Sequence, residues 1–295
     1  MNERTNTINS SIFLCGVVKQ CAPFLPQILH YMEMIGALFS DYKIIISFDH
    51  PSNPAWRDDS LDILVSYANQ HPNKMVLYIN DLPLSSIRTI NIAAARNRCL
   101  QIMWKFRENN NFAAEYFVMM DCDDVNAIKE IRTEILVKYF KSKEYAGKWD
   151  ALSFNREPYY DLWALSIGPL AFSKMHFHQG EYYWAFKIGE EIEKAKKNAN
   201  EGTALQNKVK LIECWSAFNG FAIYRMEKFA NCWYDGRVRL DLIPAYYLAK
   251  NVRICGPIKQ QGLPEKGDCE HRAFHYQAIL RHKAKIRISP EILFN

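Results

Sequence analysis

Four short apolar runs, Ile12–Val18, Lys43–Phe48, Met75–Ile79 and Tyr116–Met120, are separated by three stretches with helical spacing. The helical stretches are Phe24–Phe39, Asp58–Asn69 and Asn91–Phe106. Unbroken apolar runs suit strands buried on both faces, and an intervening helix makes successive strands parallel. The alternation therefore predicts an α/β fold, a Rossmann-like, doubly wound and mostly parallel sheet flanked by helices. Beyond it, Ala127–Lys141 reads as a helix, Trp149–Phe154 as a strand and Ser216–Tyr224 as a glycine-interrupted strand.

With 295 residues, 49% of them hydrophobic and 23% charged, the chain can bury a large core. One domain is expected over 12–295, with residues 1–11 disordered or poorly ordered. The stretch 180–210, rich in Glu, Lys and Asn, reads as an inserted helix or a mobile loop over a site. No signal peptide is visible, nor an apolar run of the roughly 20 residues that a membrane span needs. The expected location is the cytoplasm or the cytosolic face of a membrane, with room for peripheral membrane contact. Eight cysteines without a CxxC pair read as buried thiols in a reducing compartment rather than a zinc or disulfide framework. The net charge is +5, and the basic run Arg281–Arg287 reads as a solvated face, or as one suited to phosphates or an anionic surface. No nucleic-acid-binding motif accompanies it.

The fourth apolar run delivers Asp121-Cys122-Asp123-Asp124-Val125 to a strand's C-terminal end. Alternate residues of an extended segment point the same way, so Asp121 and Asp123 can converge on one divalent cation, Mn²⁺ or Mg²⁺. The plain alternative is a polar strand end capping the next helix. In the helix 91–106, Arg96 and Asn97 lie off the stripe formed by Ile92, Ala95, Cys99, Leu100 and Met103. A guanidinium there suits a diphosphate or a nucleobase, unless it is an ordinary surface arginine. Tyr159-Tyr160-Asp161-Leu162-Trp163 sets aromatic faces beside a carboxylate, a pairing suited to sugars, although a core cluster would look the same. Trp215 and Asn219-Gly220 carry the same two readings, the glycine allowing close approach of backbone to a ligand. In Gly267–His275, acidic residues open a helix, with His271 and His275 one turn apart.

The Arg96-Asn97-Arg98 helix before a strand ending in Asp121-Cys122-Asp123 resembles nucleotide-sugar glycosyltransferases of the GT-A fold. More narrowly, Ile92–Leu100, Tyr160–Leu165, Cys214-Trp215 and Asn219-Gly220-Phe221 resemble the fungal capsule-associated mannosyltransferases, over about residues 12–275. Asp121-Cys122-Asp123-Asp124 is more acidic than that family leads one to expect, so the donor need not be the same. The resemblance implies a nucleotide-binding half about 12–125 and an acceptor-side half about 126–295. It implies a metal held by Asp121 and Asp123 with His271 or His275 as third ligand, and a nucleotide held by Asp49, Arg96, Asn97 and Asp121. Glu270 and Asp161 become the catalytic carboxylates, Glu270 as base in an inverting enzyme or as sugar-orienting group in a retaining one. The implied reaction is hexose transfer, mannose favoured, from GDP-mannose or a UDP-sugar to a glycan or glycoconjugate.

Two other readings compete. Asp121-Cys122-Asp123-Asp124-Val125 also fits the DxDxV of haloacid-dehalogenase-type phosphatases, with Asp121 as nucleophile, Asp123 as acid/base and Ser153 as the later strand-end hydroxyl. A catalytically inactive glycan- or nucleotide-binding relative is the other.

Overall fold

The structure, a computed structural model, describes residues 7–109, 111–127, 130–172, 181–200, 209–257 and 267–295. The first half runs β1 (Ile8–Val18), α1 (Leu25–Gly36), β2 (Phe39–Asp49), α2 (Ser60–Gln70), β3 (Met75–Asn80), α3 (Arg88–Glu108) and β4 (Tyr116–Asp121). It continues with α4 (Thr133–Lys141), β5 (Ala151–Asn155), α5 (Glu181–Asn200), β6 (Ile212–Glu213), β7 (Phe221–Arg225), α6 (Ala245–Cys255), α7 (Glu270–His282) and β8 (Ile286–Ile292).

The strands form one sheet in the order β3-β2-β1-β4-β7-β5-β8-β6. The first four are parallel, as the alternation predicts, and β5 pairs parallel with β8. Strand β7 runs antiparallel between β4 and β5, and β6 antiparallel to β8. Side chains alternate across the sheet: Ile12 and Leu14 pack with α1, whereas Phe13 and Cys15 face Ala93, Cys99 and Met103 of α3. Both faces are thus covered, which is why the central strands are apolar without interruption. Among the described residues no helix is long and apolar enough to cross a membrane.

Several boundaries differ from the sequence reading. Strand β1 starts at Ile8, inside the segment expected to be disordered, because Ile8 pairs with Phe39 and is buried. Helix α1 stops at Gly36, where a side chain would collide with the Tyr42 ring, and Phe39 already belongs to β2. Helix α3 begins three residues early, at Arg88. Helix α4 starts only at Thr133, since Ile131 is bridged to Phe294. Ser216 does not enter β7; it bridges to Ser166. The inserted stretch forms α5, whose Ile188, Ile192 and Ala195 lie in the core, so its described residues pack on the sheet rather than over a site. Residues 180 and 201–208 of that stretch lie outside the described residues.

Candidate active site

From β1 the chain winds outward through β2 and β3, then returns by α3 to place β4 on the other side of β1. Ligands of open α/β sheets bind at such a switch point, beyond the strands' carboxyl ends. A cavity of about 550 Å³ opens there, lined by the ends of β1 (Val17, Val18, Lys19), β2 (Asp49) and β4 (Asp121). Helices α3 and α7 add Arg88, Asn91 and Arg96 from one and Glu270 and His271 from the other.

Arg96 is the central side chain. Expected off the apolar stripe, it lies on it, in line with Thr89, Ala93, Leu100 and Met103, and is 3% exposed. A buried guanidinium needs anionic partners. It finds Asp121 Oδ1 at 2.9 Å from Nη2 and Glu270 Oε1 at 3.0 Å from Nε, while the Phe218 ring lies 4.6 Å away. The Nε contact is an ion pair without hydrogen-bond alignment, and Nη1 makes no hydrogen bond among the described residues. Burial works against the Arg96 charge, but Glu270 and Asp121 more than offset it and raise its pKa.

The carboxylates are crowded. Burial pushes the Asp121 carboxyl up to about 7 against the pull of Arg96, with Asp123, Asp161 and Glu270 adding to the rise. Burial also raises Asp123, against the amide of Val125 that donates to its Oδ1 at 3.2 Å. Asp161 is pushed up to about 6, again chiefly by burial. Four acids therefore face one buried guanidinium, with Lys19 and Arg88 exposed at the rim. Two hard oxygen donors within an excess of negative charge fit a divalent cation. Among the described residues no third His, Cys, Asp or Glu converges with Asp121 and Asp123 on such an ion.

His271, expected as that third ligand, lines the cavity but stacks on Phe218 at 3.7 Å, with Nδ1 3.4 Å from the Tyr224 hydroxyl. Burial, then Arg96 and His275, pushes its pKa far down, so the ring is neutral. His275 does not line the cavity: Ser216 and the Tyr224 hydroxyl hold its two ring nitrogens at 2.9 and 3.2 Å. Asn97, expected on the nucleotide, is occupied elsewhere. Its amide closes a pair of hydrogen bonds with the Tyr234 backbone, at 2.9 and 2.8 Å. Asp49 does reach the cavity, fixed by Arg98 Nη1 at 2.9 Å, and Arg98 lies over Tyr78.

Across the cavity, Asp161 Oδ1 accepts from the Ala164 amide at 2.9 Å, and its other oxygen makes no hydrogen bond among the described residues. Asn219, at φ 57°, accepts from the amides of Tyr160 and Asp161, each at 2.9 Å, and so sets the aim of that carboxylate. Tyr160 and Trp163 line the cavity, the former half exposed. Trp215 does not: it stacks between Tyr247 and Tyr276 in the core. The close approach at Gly220 is to Val125, not to a ligand. The basic C-terminal run is likewise outside the cavity, with Lys285 on the Gly147 carbonyl and Arg287 on Glu213.

Sequence reasoning missed the supports of the Asp121–Asp123 turn. Asn126 Nδ2 donates to the carbonyls of Asp121 and Gly220 at 2.8 and 2.7 Å, and Arg156 donates to the carbonyls of Val125 and Asn219 and to the Asn126 side chain. An arginine directly after an apolar strand was the one available signal, and it names no partner.

No protein-family model matches the sequence, and no curated protein does. Similar solved structures include S. aureus TarS, at 11% identity over 96% of this chain and 59% of that one, with a TM-score of 0.40. Another is the mannosyltransferase PcManGT from Pyrobaculum calidifontis in complex with GDP-Man and Mn²⁺, at 12% identity, 93% and 71% coverage and a TM-score of 0.40. A third is glucosyl-3-phosphoglycerate synthase from Mycobacterium tuberculosis in complex with Mn²⁺, UDP and phosphoglyceric acid, at 8% identity, 84% and 66% coverage and a TM-score of 0.37. The chain spans 59% of the length of the TarS structure it matches.

Proposed function

We propose that this protein is a metal-dependent glycosyltransferase of the GT-A type that moves a hexose, mannose favoured, from a nucleotide sugar to a glycan or glycoconjugate. The observation that carries the reading is Asp121 and Asp123 opening, beside Arg96, into a cavity at the switch point of the sheet. Asp121 and Asp123 would hold Mn²⁺ or Mg²⁺, which stabilises the negative charge of the departing nucleoside diphosphate. Asp49, steadied by Arg98, faces the base or ribose. Arg88 and the first-turn amides of α3 face the diphosphate, where a helix N-terminus favours an anion. Tyr160 and Trp163 offer ring faces to the sugar. Asp161, whose carboxyl is at about 6 and whose second oxygen makes no hydrogen bond among the described residues, accepts the acceptor hydroxyl's proton in an inverting transfer. GDP-mannose is favoured through the likeness of Ile92–Leu100 and Tyr160–Leu165 to fungal capsule-associated mannosyltransferases; a UDP-sugar is the other donor class.

The phosphatase reading is weaker, because Ser153, its required hydroxyl, is buried within β5 and does not line the cavity. Thermal melting with GDP, UDP, GDP-mannose and UDP-sugars, each with and without Mn²⁺, tests the proposal, since ligands of the folded state raise Tm. A metal-dependent rise with one nucleotide is expected and names the donor base. No rise with any of them, together with phosphate release from simple phosphomonoesters, would overturn it.

A further inference from the structure

Arg96 sits where a cation is needed, and its contacts are unequal. It joins three elements, α3, β4 and α7, through a hydrogen-bonded pair with Asp121 and a poorly aligned pair with Glu270. One donor nitrogen, Nη1, makes no hydrogen bond among the described residues although Arg96 is 3% exposed, and the guanidinium lies over the Phe218 ring. Asp121 is also one of the two carboxylates that would take the metal, so guanidinium and metal would share one carboxylate.

We propose that Arg96 is a placeholder for the cation on Asp121, and that Glu270 is the acceptor site for the guanidinium once the cation arrives. This rests on the metal-dependent reading above. With Asp121 holding a divalent cation, Arg96 would move toward Glu270, where its misaligned Nε contact would become a full ion pair. Glu270 is then a positioning residue acting through Arg96, and proton acceptance falls to Asp161. The arrangement couples metal loading at the end of β4 to the position of α7.

Mn²⁺ titration of the full chain in the presence of GDP or UDP, with free Mn²⁺ read by its electron paramagnetic resonance signal, tests this without turnover. Glu270→Gln removes the alternative partner and leaves Arg96 on Asp121, so Mn²⁺ binding weakens about tenfold. In an Arg96→Met background the same Glu270→Gln change has no effect, because the competitor is gone. Equal weakening in both backgrounds, or none in Glu270→Gln alone, overturns the proposal. The wild-type chain gives a second readout independent of these variants. The ¹⁵Nε resonance that is lost in Arg96→Lys shifts on adding Mg²⁺ with the nucleotide; an unmoved resonance at saturating metal overturns it as well. Absence of any Mn²⁺ binding by the wild type with either nucleotide would instead remove the metal-dependent reading itself.

Discussion

The Arg156 guanidinium donates from Nη1 to the Val125 carbonyl at 2.7 Å, fixing the turn that follows Asp121 and Asp123 to the end of β5. Its Nε holds the Asn219 carbonyl at 3.0 Å, so one side chain orients both the Asp121–Asp123 turn and the residue that aims Asp161. Arg156→Met keeps the stem and loses the donors. Mn²⁺ affinity in the presence of nucleotide is expected to fall about 10- to 100-fold, as on removing an outer support of a metal site. Metal titration alongside thermal melting checks this, and an unchanged affinity in a folded variant would show that the turn holds itself.

Asp123→Ala is expected to abolish metal-dependent transfer while leaving the fold intact, because Asp123 is half-buried and makes only a local bond to the Val125 amide. Turnover with Mn²⁺, compared with turnover after chelation, is the measurement. Normal activity in the variant would remove the metal-clamp argument.

Asp161→Asn is expected to lower kcat about 10²- to 10⁴-fold in an inverting enzyme with little change in donor affinity. A base with its carboxyl at about 6 is inactive when protonated, so the wild-type rate rises with pH through about 6 and then levels. The pH profile and the split between kcat and donor KM check both halves of the claim.

His275 gives the fold an acid sensitivity of calculable sign. Burial, followed by Arg272 and Arg96, takes its pKa from 6.5 to about 3. The unfolded chain therefore binds a proton that the folded chain refuses as pH falls below 6.5, so stability present above 6.5 is lost toward 3. One such group contributes a slope of up to about 1.4 kcal/mol per pH unit. His275→Gln should flatten denaturant-derived stability against pH across that interval, and an unchanged slope would assign the sensitivity elsewhere.

Gly236 has no room for a side chain: a Cβ would lie 2.2 Å from the Thr89 backbone in the first turn of α3. Gly236→Ala is expected to cost about 1–3 kcal/mol by overpacking and to displace the first turn of α3, which lines the cavity through Arg88 and Asn91. Nucleotide affinity should fall with stability; a stable variant with normal affinity would mean that α3 is positioned from elsewhere.

The parallel β1–β4 half and the acidic end of β4 were legible, because apolar runs alternating with helices leave few topologies and strand-end carboxylates follow from the period of a strand. The antiparallel entry of β7 was not, since an apolar run carries no record of strand direction. Arg96 was misplaced because its partners, Asp121 and Glu270, lie far along the chain, and only they permit a guanidinium on a buried helix face. Asn97 and Arg98 show the same limit. Adjacent to Arg96, they look equally suited to a nucleotide, yet one is bound to the Tyr234 backbone and the other to Asp49.

Strand β7 stitches β4 to β5, and through it the amide of Asp121 is hydrogen-bonded to the Gly220 carbonyl. Strand β4, which carries Asp121 into the cavity, and β5 thus belong to one hydrogen-bonded surface instead of two plates joined by a hinge. Strain introduced in β7 is therefore passed to Asp121 and to β5 alike, so the cavity's acidic edge answers to packing on the far side of the strand that carries it.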